Sequence, residues 1–136
     1  MTRPSKLVPV AGALIFTLFS GCGAPQQAQA EPAKSGPAAL DPTITDSDKY
    51  SVIFENERVR VLRYHDEPGA ETHRHHHPDM LMIPESEFRR RISLADGRAR
   101  EIAGAPGGVM WVPAQEHVGA NIGTTETDVI LVELKR

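Results

Sequence analysis

The sequence is short of cysteine, of excess charge of one sign and of helical periodicity, and each shortage excludes a class of structure or partner. Cys22 is the only cysteine, so the chain cannot form an intramolecular disulfide. Its 15 Lys and Arg face 18 Asp and Glu, and the formal net charge of −3 repels phosphate, which argues against a nucleic-acid partner. No segment repeats its apolar residues with a sustained helical period, so we do not expect a helical fold.

The first residues have the features of an export signal. Arg3 and Lys6 precede an apolar stretch from Leu7 to Phe19, which is within the length of a secretory signal and short for a bilayer span. The following order Leu-Phe-Ser-Gly-Cys, at residues 18–22, resembles the lipobox of bacterial lipoprotein precursors.

This resemblance implies that residues 1–21 are a signal peptide and that Cys22 is acylated and becomes the mature N-terminus. The protein would then be exported and lipid-anchored to a bacterial membrane, facing the periplasm or the cell exterior. Gly23 follows the cysteine, whereas an aspartate there tends to retain such lipoproteins at the inner membrane, so an outer membrane is favoured where one exists. An ordinary signal peptide with an unrelated thiol and an uncleaved anchor are the alternatives.

Residues 22–42 differ in composition from the rest of the chain. They are rich in Pro, Gln, Ala, Gly and Ser and contain almost no large apolar side chain. Such a segment cannot bury enough surface to offset the entropy of ordering, so we predict a flexible tether. The folded domain is predicted to be residues 43–136, which is enough for a small core.

Short strand patterns separated by turn residues fill this domain. Asp96-Gly97 is typical of a type I′ hairpin turn. The basic run Arg89–Arg91 alternates between two strand faces, and we expect its side chains to be solvated. The pattern predicts an all-β sandwich or barrel. Strands are expected at 52–54, 59–64, 80–83, 88–94, 98–102, 109–112, 117–122 and 127–134.

Four of the six histidines lie in one short segment, His-Arg-His-His-His-Pro at 73–78. Alternate side chains share a strand face, so His73, His75 and His77 are expected to point one way and His76 the other. Pro78 favours extended backbone at the residue before it. Two imidazoles on one face can bind a divalent metal if another strand supplies a further ligand.

Two spaced motifs resemble those of the cupin superfamily. The first is Gly69, five residues, His75, one residue and His77, and the second is Gly107, five residues, Pro113, then His117 and Asn121. They flank a predicted hairpin, and the resemblance extends over residues 51–135. It implies a single cupin-type jelly-roll barrel in which the metal ligands are His75, His77 and His117.

The sequence departs from the cupin pattern at two places. Leu81 or Met82 stands where the first motif usually has a glutamate ligand. Gln115 stands where the second motif has a glycine, and the spacing from Pro113 to the histidine is one residue shorter. The implied ligand set therefore contains no carboxylate. Three histidines suit Fe, Zn, Cu, Ni or Mn, and ligand type alone does not choose among these divalent metals.

Two further side chains, His73 and Asn121, are candidates for a substrate pocket. His73 shares the predicted face of the ligand histidines, where it could be a rim base, an alternative ligand or simply solvated. Asn121, four residues after His117, could orient a ligand or satisfy a buried backbone group. Cupins often pair through an edge strand, so a homodimer is an expected partner state.

Two classes of function are compatible with these residues. One is a metal-dependent enzyme acting on a small molecule, as an oxygenase, isomerase or lyase. The other is a non-catalytic module that binds metal or a small sugar or acid at the cell surface, and a metal-free structural lipoprotein is a third alternative. A fold of this kind does not decide between them.

Overall fold

The computed structural model describes residues 37–136, in which nine strands follow two short helical segments. Residues 1–36, with the predicted signal peptide and Cys22, lie outside this range. Within it, neither helical segment has the length and apolar character needed to cross a membrane. The elements are a 3-10 helix Pro37–Leu40, α1 Pro42–Thr45, β1 Tyr50–Glu55, β2 Val59–Asp66, β3 His75–His77, β4 Met80–Pro84, β5 Phe88–Leu94, β6 Ala99–Gly104, β7 Met110–Val112, β8 Gln115–Asn121 and β9 Thr127–Leu134.

Two antiparallel sheets enclose the interior, and the predicted all-β class is confirmed. The five-stranded sheet has the order β1-β2-β9-β4-β7, and the four-stranded sheet has the order β3-β8-β5-β6. Along β9 buried residues strictly alternate with half-buried ones, as the period of two requires. The core is apolar and consists of Tyr50, Leu62, Tyr64, Met80, Phe88, Val112, Val129 and Leu131.

The predicted tether extends too far into the domain. Residues 37–42 include the 3-10 helix and the start of α1. Asp41 caps α1 by accepting a hydrogen bond from the Thr43 backbone N–H at 2.9 Å. Its other carboxylate oxygen lies 2.5 Å from Arg60 Nη1 on β2. The contact with Arg60 joins the segment to the barrel. It connects residues 19 positions apart, so local composition does not reveal it.

The β5–β6 hairpin uses a different turn from the predicted one. A type I′ turn needs positive φ at both central residues, but Gly97 has φ 85° and no described non-glycine residue has positive φ. The Leu94 carbonyl accepts from Gly97 N–H at 3.0 Å, and Leu94 N–H donates to the Arg98 carbonyl at 2.8 Å. The loop is therefore a type I turn followed by a left-handed glycine.

Arg90 is not solvated as predicted for the basic run. It lies on the inward face of β5 between Phe88 and Ile92, and only 5% of its surface is exposed. Its Nη1 atom lies 2.6 Å from Asp66 Oδ2, which supplies the countercharge that a buried guanidinium requires. Arg89 and Arg91 remain exposed on the other face.

Candidate metal centre

Strand register brings three histidines together inside the barrel. β3 pairs with β8 so that His75 lies directly opposite His117. The side chains of His75, His77 and His117 are all buried, whereas His76 points away from the interior and is half-buried. One possible ligand atom from each of the three lies within 4.8 Å of those of the other two. The two histidines of the first motif and the histidine of the second motif thus lie in one group that could hold a metal ion.

Hydrogen bonds fix the tautomers of the two histidines on β3. His75 Nδ1 lies 2.8 Å from the His73 carbonyl oxygen, which can only accept, so Nδ1 carries the hydrogen. His77 Nδ1 lies 2.6 Å from Glu133 Oε1 and likewise donates. With Nδ1 as the donor, Nε2 is the nitrogen of each ring that is left for a metal ion. The Tyr50 hydroxyl lies 3.2 Å from His75 Nε2 and can donate to that lone pair.

The third ring, His117, has a buried nitrogen without a hydrogen-bond partner. Its Nδ1 is buried and has no hydrogen-bond partner, the sole such side-chain atom among the described residues. A buried nitrogen without a partner costs free energy, and native structures rarely retain one without a reason. Three converging imidazoles, one of which has a nitrogen without a hydrogen-bond partner, fit a divalent transition-metal ion that accepts nitrogen ligands.

Burial lowers the pKa of two of the three histidines. Desolvation, followed by the charge of His77, lowers the pKa of His75 to about 4. Desolvation, followed by His75 and His77, lowers the pKa of His117 to about 2. Neutral imidazole is the metal-binding form, so protons compete weakly for these two rings near neutral pH.

Glu133 orients the triad and is a residue that sequence reasoning missed. It is 1% exposed on β9 and accepts from His77 Nδ1 on one oxygen and from Arg60 Nε on the other, the latter at 2.6 Å. Burial opposes its ionisation, but the hydrogen bonds from His77 and Arg60 outweigh burial and hold its pKa below the usual value. A carboxylate behind a ligand histidine fixes the ring and raises its basicity. The sequence feature that could have revealed Glu133 is a charged residue at an inward-facing position of the alternating strand β9.

A cavity of about 150 Å³ opens beside the histidines. Met82 lines it, so an uncharged thioether faces the interior near the place where the cupin motif has glutamate. Leu81, the other residue considered for that place, is not part of the wall. None of the described residues lining the cavity is acidic: they are Tyr50, Tyr64, His77, Met80, Met82, Phe88, Arg90, Ile92, Arg100, Ile102, Met110, Trp111, Val112, Gln115, His117, Thr127, Val129 and Leu131.

The two residues assigned to a substrate pocket, His73 and Asn121, do not line this cavity. His73 precedes β3, and 78% of its side chain is exposed while its ring contacts Asp46. Asn121 is buried, but its amide nitrogen donates to Asp66 and to the Thr125 carbonyl, and its oxygen accepts from Gly123 N–H. The amide is therefore committed to the framework, as the structural alternative for Asn121 anticipated.

A second group of possible ligands lies on the surface. His65, Glu67 and Glu126 bring one atom each within the same 4.8 Å limit, and all three side chains are solvent-accessible, with 44%, 73% and 55% of their surface exposed. Clusters of exposed acidic side chains are common on protein surfaces without a bound ion. The group matters here as a competing location in metal-binding experiments.

Comparisons with known proteins identify the fold. No family model matches the chain, and no curated protein sequence matches it. A cupin domain from Bordetella pertussis Tohama I is similar, with 27% identity, coverage of 64% of this chain and 92% of that one, and a TM-score of 0.59. A conserved protein with a double-stranded β-helix domain from Klebsiella pneumoniae has 21% identity, coverage of 62% and 70%, and a TM-score of 0.50.

An RmlC-like cupin family protein from Methanocaldococcus jannaschii, with a double-stranded β-helix fold, is similar in the same way. It has 15% identity, coverage of 62% of this chain and 77% of that one, and a TM-score of 0.50. The described part of the chain thus has the cupin fold, as the two sequence motifs predicted. Fold and site together define a cupin barrel with three buried histidines that could hold a metal ion.

Proposed function

We propose that this domain binds one divalent metal ion through His75, His77 and His117 and uses it on a small molecule in the adjacent cavity. The observation that carries the proposal is the convergence of three buried imidazoles, one with an unsatisfied nitrogen, beside a cavity whose wall includes His77 and His117. Fe, Zn, Cu, Ni and Mn all remain compatible with an all-nitrogen ligand set.

A bound divalent ion would act as a Lewis acid that polarises an oxygen atom of a ligand or acidifies a bound water. The chain's own residues prepare the site for this chemistry. Glu133 holds His77 in position. Burial raises the pKa of Tyr50, so its hydroxyl stays protonated, and it would give up its hydrogen bond to His75 Nε2 when a metal ion takes that lone pair. The apolar wall limits access of water. An oxygenase, isomerase or lyase would suit this arrangement.

Elemental analysis of the full-length chain, purified in detergent without chelator, tests the metal site. We expect close to one metal ion per chain in the wild type and in His65→Ala, because the surface group is not the proposed site. His117→Ala should lose most of the metal while keeping its circular dichroism spectrum. Equal metal content in His117→Ala and the wild type, or loss only in His65→Ala, would contradict the proposal.

A non-catalytic binding module is the second candidate, and the cavity wall favours it in one respect. No described wall residue is a carboxylate, so the wall lacks the commonest partner of histidine in general acid–base catalysis. Calorimetry and NMR of the metal-loaded protein with a panel of small sugars and acids distinguish the two functions. Saturable binding with an unchanged ligand spectrum over days indicates a module, whereas new product signals indicate an enzyme.

We also propose that acylated Cys22 anchors the domain to a bacterial membrane, with the outer membrane favoured where present. The support is the lipobox-like order before Cys22, which lies outside the described residues. Labelled palmitate should enter the full-length wild type and not Cys22→Ser, and the wild type should fractionate with membranes. Unlabelled wild type in the soluble fraction would refute the anchor.

A homodimer through β1 is proposed as the partner state. β1 is an edge of the five-stranded sheet and exposes Val52, Ile53 and Phe54 by 47%, 53% and 53%. An exposed apolar edge strand is a template for pairing with another strand, and a second copy supplies an identical edge. Light scattering after size exclusion should report a dimer for the wild type and a monomer for Ile53→Lys. A wild-type monomer at high concentration would refute it.

A further inference from the structure

The cavity beside the histidines contains positive charge and no negative charge. Its described wall is mostly apolar, with Arg90 deep inside and Arg100 on an exposed strand. Arg100 Nη2 donates to Gln115 at 3.2 Å, so it is held by a neutral amide. A ligand that fills this cavity meets cationic donors and no carboxylate, which disfavours cations and suits an anion.

Arg90 is only partly used by the protein. Nη1 donates to Asp66 Oδ2 at 2.6 Å and to Thr127 Oγ1 at 3.2 Å, and the guanidinium packs over the Tyr64 ring at 4.7 Å. Among the described residues, Nη2 and Nε have no hydrogen-bond acceptor. A guanidinium offers five donors, so those that are not bonded to Asp66 or Thr127 remain available to a ligand in the cavity.

The unused side of Arg90 lies close to the histidine triad. A Cβ atom at Gly119 would be only 2.9 Å from Arg90 Nη2, so the guanidinium rests directly on that glycine. Gly119 is two residues from His117 on the same inward face of β8, a step of about 7 Å along the strand. One small molecule can therefore reach both Arg90 and the metal position.

The ligand set leaves a metal ion's charge uncompensated. Three histidines contribute no negative charge, and no described residue of the cavity wall is a carboxylate. A divalent ion held this way favours an anionic oxygen ligand from outside the protein. A metal ion at the triad and the Arg90 guanidinium would thus both favour a ligand with an anionic oxygen.

On the basis of the proposed function, we propose that the site recognises a small organic carboxylate, with its acid group between Arg90 and the metal position and its apolar body against the cavity wall. The planar fork of arginine matches carboxylate geometry. The wall beyond it is apolar and aromatic, and includes Phe88, Ile102 and Met110. The ligand is a monocarboxylate with an apolar body, because most of the wall surface exposed to the cavity is apolar.

Benzoate and its neutral analogue benzamide test this assignment by calorimetry on the metal-loaded full-length protein. Trp111 is the only tryptophan and lines the cavity, so its fluorescence gives a second readout. Asp66→Asn/Arg90→Gln removes both charges of the buried pair together and avoids leaving Asp66 unpaired. Arg90→Lys keeps the charge but loses the fork. Arg91→Gln is the matched control, because Arg91 lies on the same strand and 55% of its side chain is exposed.

The wild type and Arg91→Gln should bind benzoate at least about tenfold more tightly than benzamide, since charge-assisted bonds exceed neutral ones. The double variant and Arg90→Lys, with metal content unchanged, should lose most of that preference. An undiminished preference in both variants would overturn the role of Arg90, and equal affinity of the wild type for both probes would overturn the ligand class. An Arg90-dependent preference in protein that takes up no metal would support the carboxylate site while refuting the proposed metal function.

Discussion

The barrel interior holds two buried polar clusters that differ in how completely their hydrogen bonds are satisfied. In one, the Asp66 carboxylate accepts from Tyr64, Arg90 and Asn121. In the other, His75, His77 and His117 converge, and His117 Nδ1 has no partner. The Asp66 cluster is closed on itself, whereas the histidine triad is open.

This difference indicates that the Asp66 cluster is structural and that the histidine triad is a binding site. A fully satisfied buried network rigidifies the interior, and an unsatisfied one is retained only where something else completes it. Arg90 belongs to both regions, because Nη1 is committed to Asp66 while Nη2 lies against Gly119, two residues from His117. Breaking the closed cluster should therefore cost stability, and changing the open one should cost ligand binding.

The largest effect is expected from Asp66→Ala. This change leaves the Arg90 guanidinium buried without a countercharge, which costs about 3–5 kcal/mol of the free energy of unfolding. Urea denaturation followed by circular dichroism measures it. Asp48→Ala, whose side chain is 72% exposed, is the control and should change stability by less than about 0.5 kcal/mol. Equal stability of the two variants would show that the Asp66 cluster is not structural.

Acid should destabilise the metal-free protein through the open triad. Unfolded histidine takes up a proton below pH 6.5, whereas folded His75 resists until about pH 4 and His117 until about pH 2. The unfolded state then binds more protons, so the free energy of unfolding falls as pH falls. Urea titrations between pH 6.5 and 4 measure the slope. A His75→Asn/His117→Asn variant with the same slope would argue against this origin.

Glu133→Gln should weaken metal binding and leave the triad in place. The amide cannot hold His77 as an ionised carboxylate does, and loss of such a partner typically costs about 10–100-fold in metal affinity. Competition with a calibrated chelator measures it. Glu57→Gln, in the exposed β1–β2 turn, is a control for the loss of one negative charge. Unchanged affinity in Glu133→Gln would place Glu133 outside the site.

The smallest effect is expected from His76→Ala. His76 lies between two triad residues but points away from them, so metal content should not change and stability should shift by less than about 0.5 kcal/mol. Elemental analysis and urea denaturation both check this. Loss of metal in His76→Ala would show that the histidine segment binds as a loose surface chelate and not from the barrel interior.

Local patterns predicted the strands and the histidine face. Alternation across β5 and β9 and the turn residues between strands depend on neighbouring residues, which a sequence displays directly. The same reasoning gave a wrong turn type at Asp96-Gly97 and extended the tether to residue 42. Those errors depend on specific contacts, such as that between Asp41 and Arg60, which composition does not report.

The partners of the site depend on strand register and could not be predicted. Glu133 contacts His77 across 56 residues of chain, and Arg90 contacts Asp66 across 24. The split of the Arg89–Arg91 run between two strand faces predicts solvated side chains. The countercharge of Arg90 is visible only once β2 and β5 enclose the same interior. Asn121 lies on the same face of β8 as His117, and its amide bonds to Asp66 and to the Thr125 carbonyl, two partners that local sequence does not reveal.

Anomalous diffraction at the absorption edge of the copurifying metal, from crystals of the metal-loaded protein, tests the central claim most directly. The account predicts one strong peak inside the barrel, at roughly 2.0–2.2 Å from a nitrogen of each of His75, His77 and His117. A peak only at the surface group of His65, Glu67 and Glu126, or no peak within reach of the triad, would contradict it.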